Sequence, residues 1–453
     1  LQDRAKRRKH GLSPDLRMAK LEDDGARGHQ YVRHDSDWVN ADLTLTTDAD
    51  QTPVAPGVAL SDTVENGRRT LHSRTEAPIQ HFFSVQSARY AMQKASVTGA
   101  DGQPVALTVY HHPGHEHNVP LMLKSMQASI ALFGERFGPY QFKQARIIEF
   151  PSYAGFAQAF AGTMPYSEAI GFVQDHRDDD KVDQVTYVTA HEMAHQWWAH
   201  QVIGADMQGS TLLSESFAQY SAMRVMEQMY GAPMMRKFLK VELDRYLRAR
   251  GSEVIEELPL ARVENQAYIH YEKGALAMWW AKEAMGADVV DRALQRLVRQ
   301  YAFKPAPYPT SRDFLTLLRE EAGPAHEQLI TDLFEKITLY DMQASEATAT
   351  KRPDGRYEVR FTVQGRKMHA DGKGQETDAA LDEPFELGAF SAEPGKKGFS
   401  AASVLAFERR RLGTGRTEVT LLTARAPTHV GVDPYNKRID RNSEDNLTQV
   451  TLK

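Results

Sequence analysis

The sequence predicts an α+β protein of several domains, in the order mostly β, mixed with many helices, and β again. Short strand-type runs separated by turn signals fill residues 38–108, helical periodicity dominates residues 183–339, and strand-like alternation returns after Tyr340. At 453 residues the chain is too long for one compact hydrophobic core. We therefore expect three domains, at residues 1–110, 111–342 and 343–453.

The first domain is predicted to be mostly β. Its strand-type runs, such as 41–47 and 81–85, alternate with turn signals that include Pro56-Gly57 and Asn66-Gly67. The chain begins at Leu1 rather than at a methionine, and its first residues do not resemble a signal peptide. We expect this chain to be part of a longer protein, with the β domain truncated at its start.

The second domain is predicted to mix helices with few strands. A helix is expected over 118–137, a strand over 145–150 and a loop of small residues over 155–163. The charge run 175–183 is predicted to be a solvated loop. The helices expected after it cover residues 212–230, 234–250, 271–285, 287–301 and 311–321.

The third domain is predicted to be a C-terminal β-sandwich of about a hundred residues. Its sequence alternates between apolar and polar residues over 357–363, 403–408 and 417–424. This period of two residues is typical of strands with one buried face.

Composition excludes several classes of function. The 55 basic and 60 acidic side chains give a net charge of −5, which argues against nucleic acid as a main partner. The chain has no cysteine, so a metal site must use histidine or carboxylate ligands. No run approaches the roughly 18 consecutive apolar residues that a membrane-spanning helix requires.

The most informative motif is His191-Glu192-Met193-Ala194-His195. Histidines four apart lie on the same helix face, so both imidazoles can reach one zinc ion, and the glutamate between them can act as a general base. Apolar residues at nearly helical spacing flank the motif, which predicts that the helix is buried. Buried histidines need partners, and a zinc ion would supply one.

A catalytic zinc needs a third protein ligand beyond His191 and His195. The candidate is Glu215, which lies in the next predicted helix with apolar neighbours on both sides. Nineteen residues separate His195 from Glu215.

These residues together resemble the aminopeptidase N type of gluzincin metallopeptidase. The resemblance is carried by H-E-M-A-H-Q-W-W from His191 and by L-S-E-S-F-A from Leu213. It implies a thermolysin-like catalytic domain with a helical extension, one Zn²⁺ held by His191, His195 and Glu215, and hydrolysis of N-terminal peptide bonds with Glu192 as general base. The spacing to Glu215 is one residue longer than is usual in the family.

The resemblance implies two further site residues. Tyr271, in Y-E-K-G, matches the family's tyrosine that donates a hydrogen bond to the oxyanion of the reaction. Glu168, in P-Y-S-E-A-I-G-F, takes the place of the glutamate that binds the substrate's amino terminus. Ala169 stands where the family has asparagine, so a peptidase without strict N-terminal preference remains an alternative.

The same motifs are most similar to a branch in which the peptidase follows an ABC-transporter-type permease. That resemblance implies a peptide substrate, a preceding transmembrane portion absent from this chain, and an association with a membrane on a side that the sequence does not indicate. It also leaves open a peptide-binding or regulatory domain of a transporter with weak or no turnover.

Overall fold

The computed structural model describes residues 3–35, 37–175 and 181–453. It contains β-rich parts at both ends and a mixed, then helical, part between them, which confirms the predicted α+β multidomain class. Most of the predicted charge run 175–183 lies outside the described residues. No helix within the described ranges is long and apolar enough to cross a membrane.

The N-terminal part begins with a short exposed helix, α1 (Arg4–Lys9), and continues into small antiparallel sheets. Its strands are β1 (Trp38–Val39), β2 (Asp42–Asp48), β3 (Thr52–Val54), β4 (Val58–Glu65), β5 (Arg68–Arg74), β6 (Ile79–Gln80) and β7 (Gln86–Ala88). Strands β2, β5 and β4 form one sheet, while β1 pairs with β6 and β3 with β7.

A four-stranded sheet forms the first section of the mixed part of the molecule. Its strands are β8 (Ala91–Thr98), β9 (Pro104–His111), β10 (Gln144–Phe150) and β11 (Thr163–Ser167). Strand β10 lies parallel to both β9 and β11, whereas β8 and β9 are antiparallel. The predicted boundary at residue 110 therefore falls inside this sheet, because it lies within β9, which pairs with β8 on one side and with β10 on the other.

Helix α2 (Val119–Phe137) lies between β9 and β10 in the chain, and helix α3 (Gln184–Ala194) follows β11. Helix α3 begins where the side chain of Asp183 accepts a hydrogen bond from the backbone of Thr186 at 3.0 Å, which caps the helix. Its apolar positions Val185, Ala190 and Met193 are fully buried. The prediction of a buried motif helix is thus confirmed.

The helical part continues from α3 through six more helices. They are α4 (Phe217–Tyr230), α5 (Met235–Ser252), α6 (Gly274–Met285), α7 (Ala287–Tyr301), α8 (Ser311–Ala322) and α9 (Glu327–Ile330). Three wide π turns adjoin them, at Leu212–Ser216, Tyr268–Lys273 and Thr331–Glu335. Tighter 3₁₀ turns lie at Asp24–Gly28, Ala232–Met234, Leu260–Arg262, Pro324–His326 and Ala401–Ser403.

The C-terminal part consists of two sheets that enclose a second apolar core. Its strands are β12 (Ile337–Lys351), β13 (Tyr357–Ala370), β14 (Glu376–Ala379), β15 (Asp382–Phe390), β16 (Val404–Gly413), β17 (Gly415–Thr423), β18 (His429–Val432), β19 (Leu447–Gln449) and β20 (Thr451–Leu452). The predicted boundary at residue 342 falls inside β12.

A segment that precedes the first sheet crosses the helical part. Residues 17–32, which we call the N-terminal arm, lie along the loop formed by residues 203–208. Two isolated β-bridges join arm and loop, one from Ala19 to Met207 and one from Gln30 to Ala205. This loop leads directly into the π turn that carries Glu215.

Candidate metal centre

Helix α3 places the two predicted histidine ligands on one face. The Nε2 atoms of His191 and His195 lie 3.0 Å apart. Each ring is oriented through its other nitrogen, because Nδ1 of His191 lies 3.0 Å from Oε1 of Gln219 and Nδ1 of His195 lies 3.0 Å from the carbonyl oxygen of Trp198. These outer contacts fix the rings so that both Nε2 atoms face the same point.

Glu215 completes the group from the π turn before α4. Its Oε2 atom lies 3.3 Å from Nε2 of His191 and 3.3 Å from Nε2 of His195. This oxygen is buried and makes no hydrogen bond to the described residues. Burial would raise the pKa of Glu215, but the two imidazoles lower it well below its usual value. The carboxylate is therefore charged and directed at the two rings.

This donor set fits zinc. Two neutral imidazole nitrogens and one carboxylate oxygen are the ligands found in one class of catalytic zinc site, which keeps a further position open. The three donor atoms lie within 4.8 Å of one another, close enough for one ion to contact all of them. The unpartnered Oε2 of Glu215 is an acceptor that such an ion would satisfy.

Glu192 lies on the same helix, and its carboxylate is buried. Burial raises its pKa, while the backbone N–H of Ala159 donates a hydrogen bond to it. Ala159 belongs to an extended segment, residues 156–160, that pairs with β11 through bridges from Ala157 to Tyr166 and from Phe160 to Thr163. The sequence predicted a loop here, so this contact with Glu192 was missed.

Tyr271 lies in the π turn Tyr268–Lys273, next to the turn that carries Glu215. Its ring centroid is 5.9 Å from that of His191, and its phenol lies beside the carboxylate of Glu215. Burial, reinforced by the charge of Glu215, raises the pKa of Tyr271 well above its usual value. The phenol is therefore a neutral hydrogen-bond donor at the metal centre.

Close packing of the two π turns fixes the position of Tyr271. The hydroxyl of Ser216 donates a hydrogen bond of 2.6 Å to the carbonyl of His270. A Cβ atom at Gly274 would lie 2.2 Å from the Ser216 hydroxyl, so only glycine allows this approach. The buried ammonium of Lys273 pairs with Glu257 at 3.0 Å and holds the same turn from its other side. The Lys273-Gly274 pair of the motif thus positions Tyr271.

Glu168 lies in a different group. Its Oε1 accepts a hydrogen bond of 2.9 Å from the backbone of Ser152, and its Oε2 lies 4.0 Å from Nδ1 of His115. The buried Glu149 lies 2.5 Å from the same His115 nitrogen. These residues gather where the parallel strands β9, β10 and β11 end. The structure brings Glu192, Tyr271 and the three predicted ligands together, while the role predicted for Glu168 stays a prediction.

Tyr31 is a residue at the centre that the sequence did not indicate. The hydroxyl of Ser214 donates a hydrogen bond of 3.0 Å to the Tyr31 phenol oxygen. Burial raises the pKa of Tyr31, and the charge of Glu215 nearby raises it further. Residues 31 and 214 are 183 positions apart, so no local spacing could have revealed the contact.

Comparison with protein families gives a match over part of the chain. Residues 122–336 match the model of the family described as the Peptidase family M1 domain. Aminopeptidase M1-B of Oryza sativa subsp. japonica is 22% identical over 324 residues, covering 67% of this chain and 36% of that protein. Aminopeptidase M1 of Arabidopsis thaliana is 24% identical over 324 residues, covering 68% of this chain and 35% of that protein. The chain thus spans about a third of these relatives' length.

Solved structures share the fold. A mutant M1 zinc metallopeptidase from Deinococcus radiodurans, bound to a Tyr-Ser-Ala substrate, superposes with a TM-score of 0.51 at 22% identity, covering 66% of this chain and 65% of that one. Legionella pneumophila aminopeptidase A, in complex with aspartic acid, gives a TM-score of 0.58 at 14% identity, covering 92% of this chain and 45% of that one. These neighbours confirm the predicted multidomain architecture.

Proposed function

From the match of residues 122–336 to the peptidase family M1 domain, we propose that this protein is a zinc-dependent aminopeptidase. One observation carries the proposal. His191, His195 and Glu215 present three zinc-type donor atoms within 4.8 Å of one another. Glu192 and Tyr271 supply a base and a neutral donor beside them. The curated aminopeptidases and the zinc metallopeptidase structure support the same activity and cofactor.

The chain's own residues divide the chemistry between them. When bound by His191, His195 and Glu215, zinc would act as a Lewis acid and lower the pKa of water. Glu192 accepts a proton from the attacking water and delivers it to the departing amine. Tyr271 donates a hydrogen bond to the carbonyl oxygen as negative charge develops on it.

Replacing the base tests this division. Glu192→Gln should lower kcat by about 10²- to 10⁴-fold, because the amide cannot accept the proton. Zinc content should stay at one ion per chain, since Glu192 is not a ligand. Glu135→Gln is the matched control on an exposed face of α2 and should keep full activity. An unchanged rate in Glu192→Gln would contradict the mechanism.

Recognition of the substrate's amino terminus is the part of the proposal that depends on Glu168. Its carboxylate is partly exposed, and hydrogen bonds from Ser152 lower its pKa, so it can pair with an ammonium group. Rates on free and N-acetylated forms of one peptide test this role. An aminopeptidase cleaves only the free form. Glu168→Gln should raise the KM for this free peptide. Equal rates on both forms would favour the alternative, a peptidase without strict N-terminal preference.

A further proposal is that this unit follows a permease in a membrane-associated protein. It rests on the motifs around Glu168 and Glu215 and on no other observation. Fractionation of the full-length protein from cells would test the membrane association. The linked alternative, a peptide-binding domain with little turnover, predicts tight peptide binding by the zinc-loaded protein without cleavage.

A further inference from the structure

Backbone hydrogen bonds attach the N-terminal arm to the loop that precedes Glu215. The backbone of Gln208 donates a 2.9 Å hydrogen bond to Ala19, and that of Asp206 donates one of 2.8 Å to His29. The backbone of Tyr31 in turn donates one of 3.1 Å to Gly204. The arm thus contacts the loop before Glu215 at three points, on both sides of the 3₁₀ turn Asp24–Gly28, and its residue Tyr31 reaches Ser214.

Ion pairs hold the arm at two further points. Arg17 pairs with the buried carboxylate of Glu264, and Arg27 lies 3.2 Å from Asp313 at the start of α8. Between these points the arm's apolar side chains pack on Ile203, Ala205, Met207 and Tyr308. Tyr31 belongs to the same cluster, so its ring is held by apolar contacts while its hydroxyl lies at Ser214.

The hydrogen bond at Tyr31 leaves its own proton available. Ser214 is the donor, so the Tyr31 oxygen acts as acceptor and its O–H points elsewhere. Among the described residues, no group accepts a hydrogen bond from this phenol. Tyr31 is partly buried, and a ligand with a carbonyl group would accept a hydrogen bond from this free O–H.

We propose that Tyr31 is a substrate-binding residue, whose phenol donates a hydrogen bond to a backbone carbonyl of the peptide. This inference rests on the proposed function, since a peptide must lie against Glu215 and Tyr271 to be cleaved there. The arm therefore contributes to the substrate site although it precedes the first strand, and the site has two phenols, Tyr271 and Tyr31, beside one carboxylate.

Peptide binding without turnover gives a test that is separate from activity. Trialanine binding is measured by calorimetry on the zinc-loaded Glu192→Gln protein, with and without Tyr31→Phe. Tyr31→Phe should raise the Kd for trialanine about fivefold, the weakening expected for losing one neutral hydrogen bond. The Kd for zinc, measured by competition with a chromophoric chelator, should not change.

Tyr308→Phe is the matched control. Tyr308 lies in the same apolar cluster, and its hydroxyl donates a 2.7 Å hydrogen bond to Asp37 rather than facing the metal centre. This variant should bind trialanine as the parent does. An unchanged Kd for trialanine in Tyr31→Phe would overturn the inference. A higher Kd for zinc in that variant would also overturn it, because it would mean that Tyr31 positions the zinc ligand Glu215. If Glu192→Gln binds trialanine but the unsubstituted protein does not cleave it, the proposed function is wrong. The role of Tyr31 is then decided only by whether Tyr31→Phe raises the Kd for trialanine.

Discussion

Individual residues differ in how far their sequence context determines their place. His191, Glu192 and His195 share one turn and a half of helix, so spacing alone predicts that they meet. Glu215 and Tyr271 could be predicted because each lies in a short motif at a helix start. Tyr31 could not be predicted, because it reaches the site from a distant segment with no repeated pattern.

The pair formed by His115 and Glu149 predicts a dependence of stability on pH. The hydrogen bond between His115 and Glu149 raises the pKa of His115 above its usual value. The stabilisation is therefore fully present below the unfolded-state pKa of about 6.5 and is lost as pH rises through the higher folded-state pKa. We expect the free energy of unfolding to fall over that interval.

Urea unfolding at a series of pH values, with His115→Gln for comparison, measures this effect. The difference in stability between the two proteins should be largest below pH about 6.5 and should shrink as pH increases. His72→Gln removes a pair with Asp42 in which both side chains are partly exposed, and it serves as the control. A difference for His115→Gln that stays constant with pH would contradict the assignment of the shift to this pair.

Among the elements, the two π turns at the centre depend most on close packing. A π turn holds more residues than an α-helical turn and is frequent at functional sites. Leu212–Ser216 and Tyr268–Lys273 bring Glu215 and Tyr271 together across the contact of Ser216 with Gly274. Periodicity predicted helices here but could not predict their wider turns, because the turns arise from contacts between segments far apart in sequence.

A methyl group at Gly274 should separate these turns. The added methyl carbon would lie 2.2 Å from the hydroxyl oxygen of Ser216 and 2.6 Å from the Cβ atom of Ser216. Gly274→Ala must therefore displace Tyr271 relative to Glu215. A misplacement of that kind can lower kcat by about 10²-fold. Steady-state kinetics on an unblocked peptide would measure the loss.

Gly251→Ala provides the control for this substitution, because a Cβ atom there meets nothing within 4 Å and the glycine lies in helix α5. It should leave kcat unchanged and stabilise the helix slightly. Full activity in Gly274→Ala would mean that the turns can relax without moving Tyr271.

The whole molecule follows the predicted order of parts, with differences at the boundaries. The sequence identifies strands but not the sheet that each strand joins, since that depends on pairing across long stretches of chain. Strand β8 and most of β9 lie before the predicted boundary at residue 110 but share a sheet with β10 and β11, and β12 continues across the predicted boundary at residue 342. The extended segment 156–160 was predicted as a loop for the same reason.

Arg438 joins the C-terminal sandwich to the helical part. Its guanidinium is buried, lies 3.0 Å from the ring centroid of Trp280 on α6, and donates a 2.8 Å hydrogen bond to Pro384. Arg438→Met should lower the free energy of unfolding by roughly 2–3 kcal/mol, near the upper end for single substitutions. Arg411→Met, at an exposed position on β16, should change it by less than about 0.5 kcal/mol. Equal effects in urea titrations of the two variants would show that Arg438 does not couple the parts.

The pinned N-terminal arm also has a mechanical consequence. Arg17 pairs with Glu264, and the backbone of Ala19 accepts a hydrogen bond from Gln208. A pulling force on the chain before Arg17 would therefore act on these two contacts before it reached Tyr31. Tyr31 lies beyond them and would not move until they had ruptured. The contacts of Arg17 and Ala19 therefore protect the metal centre from forces that act on the chain before Arg17.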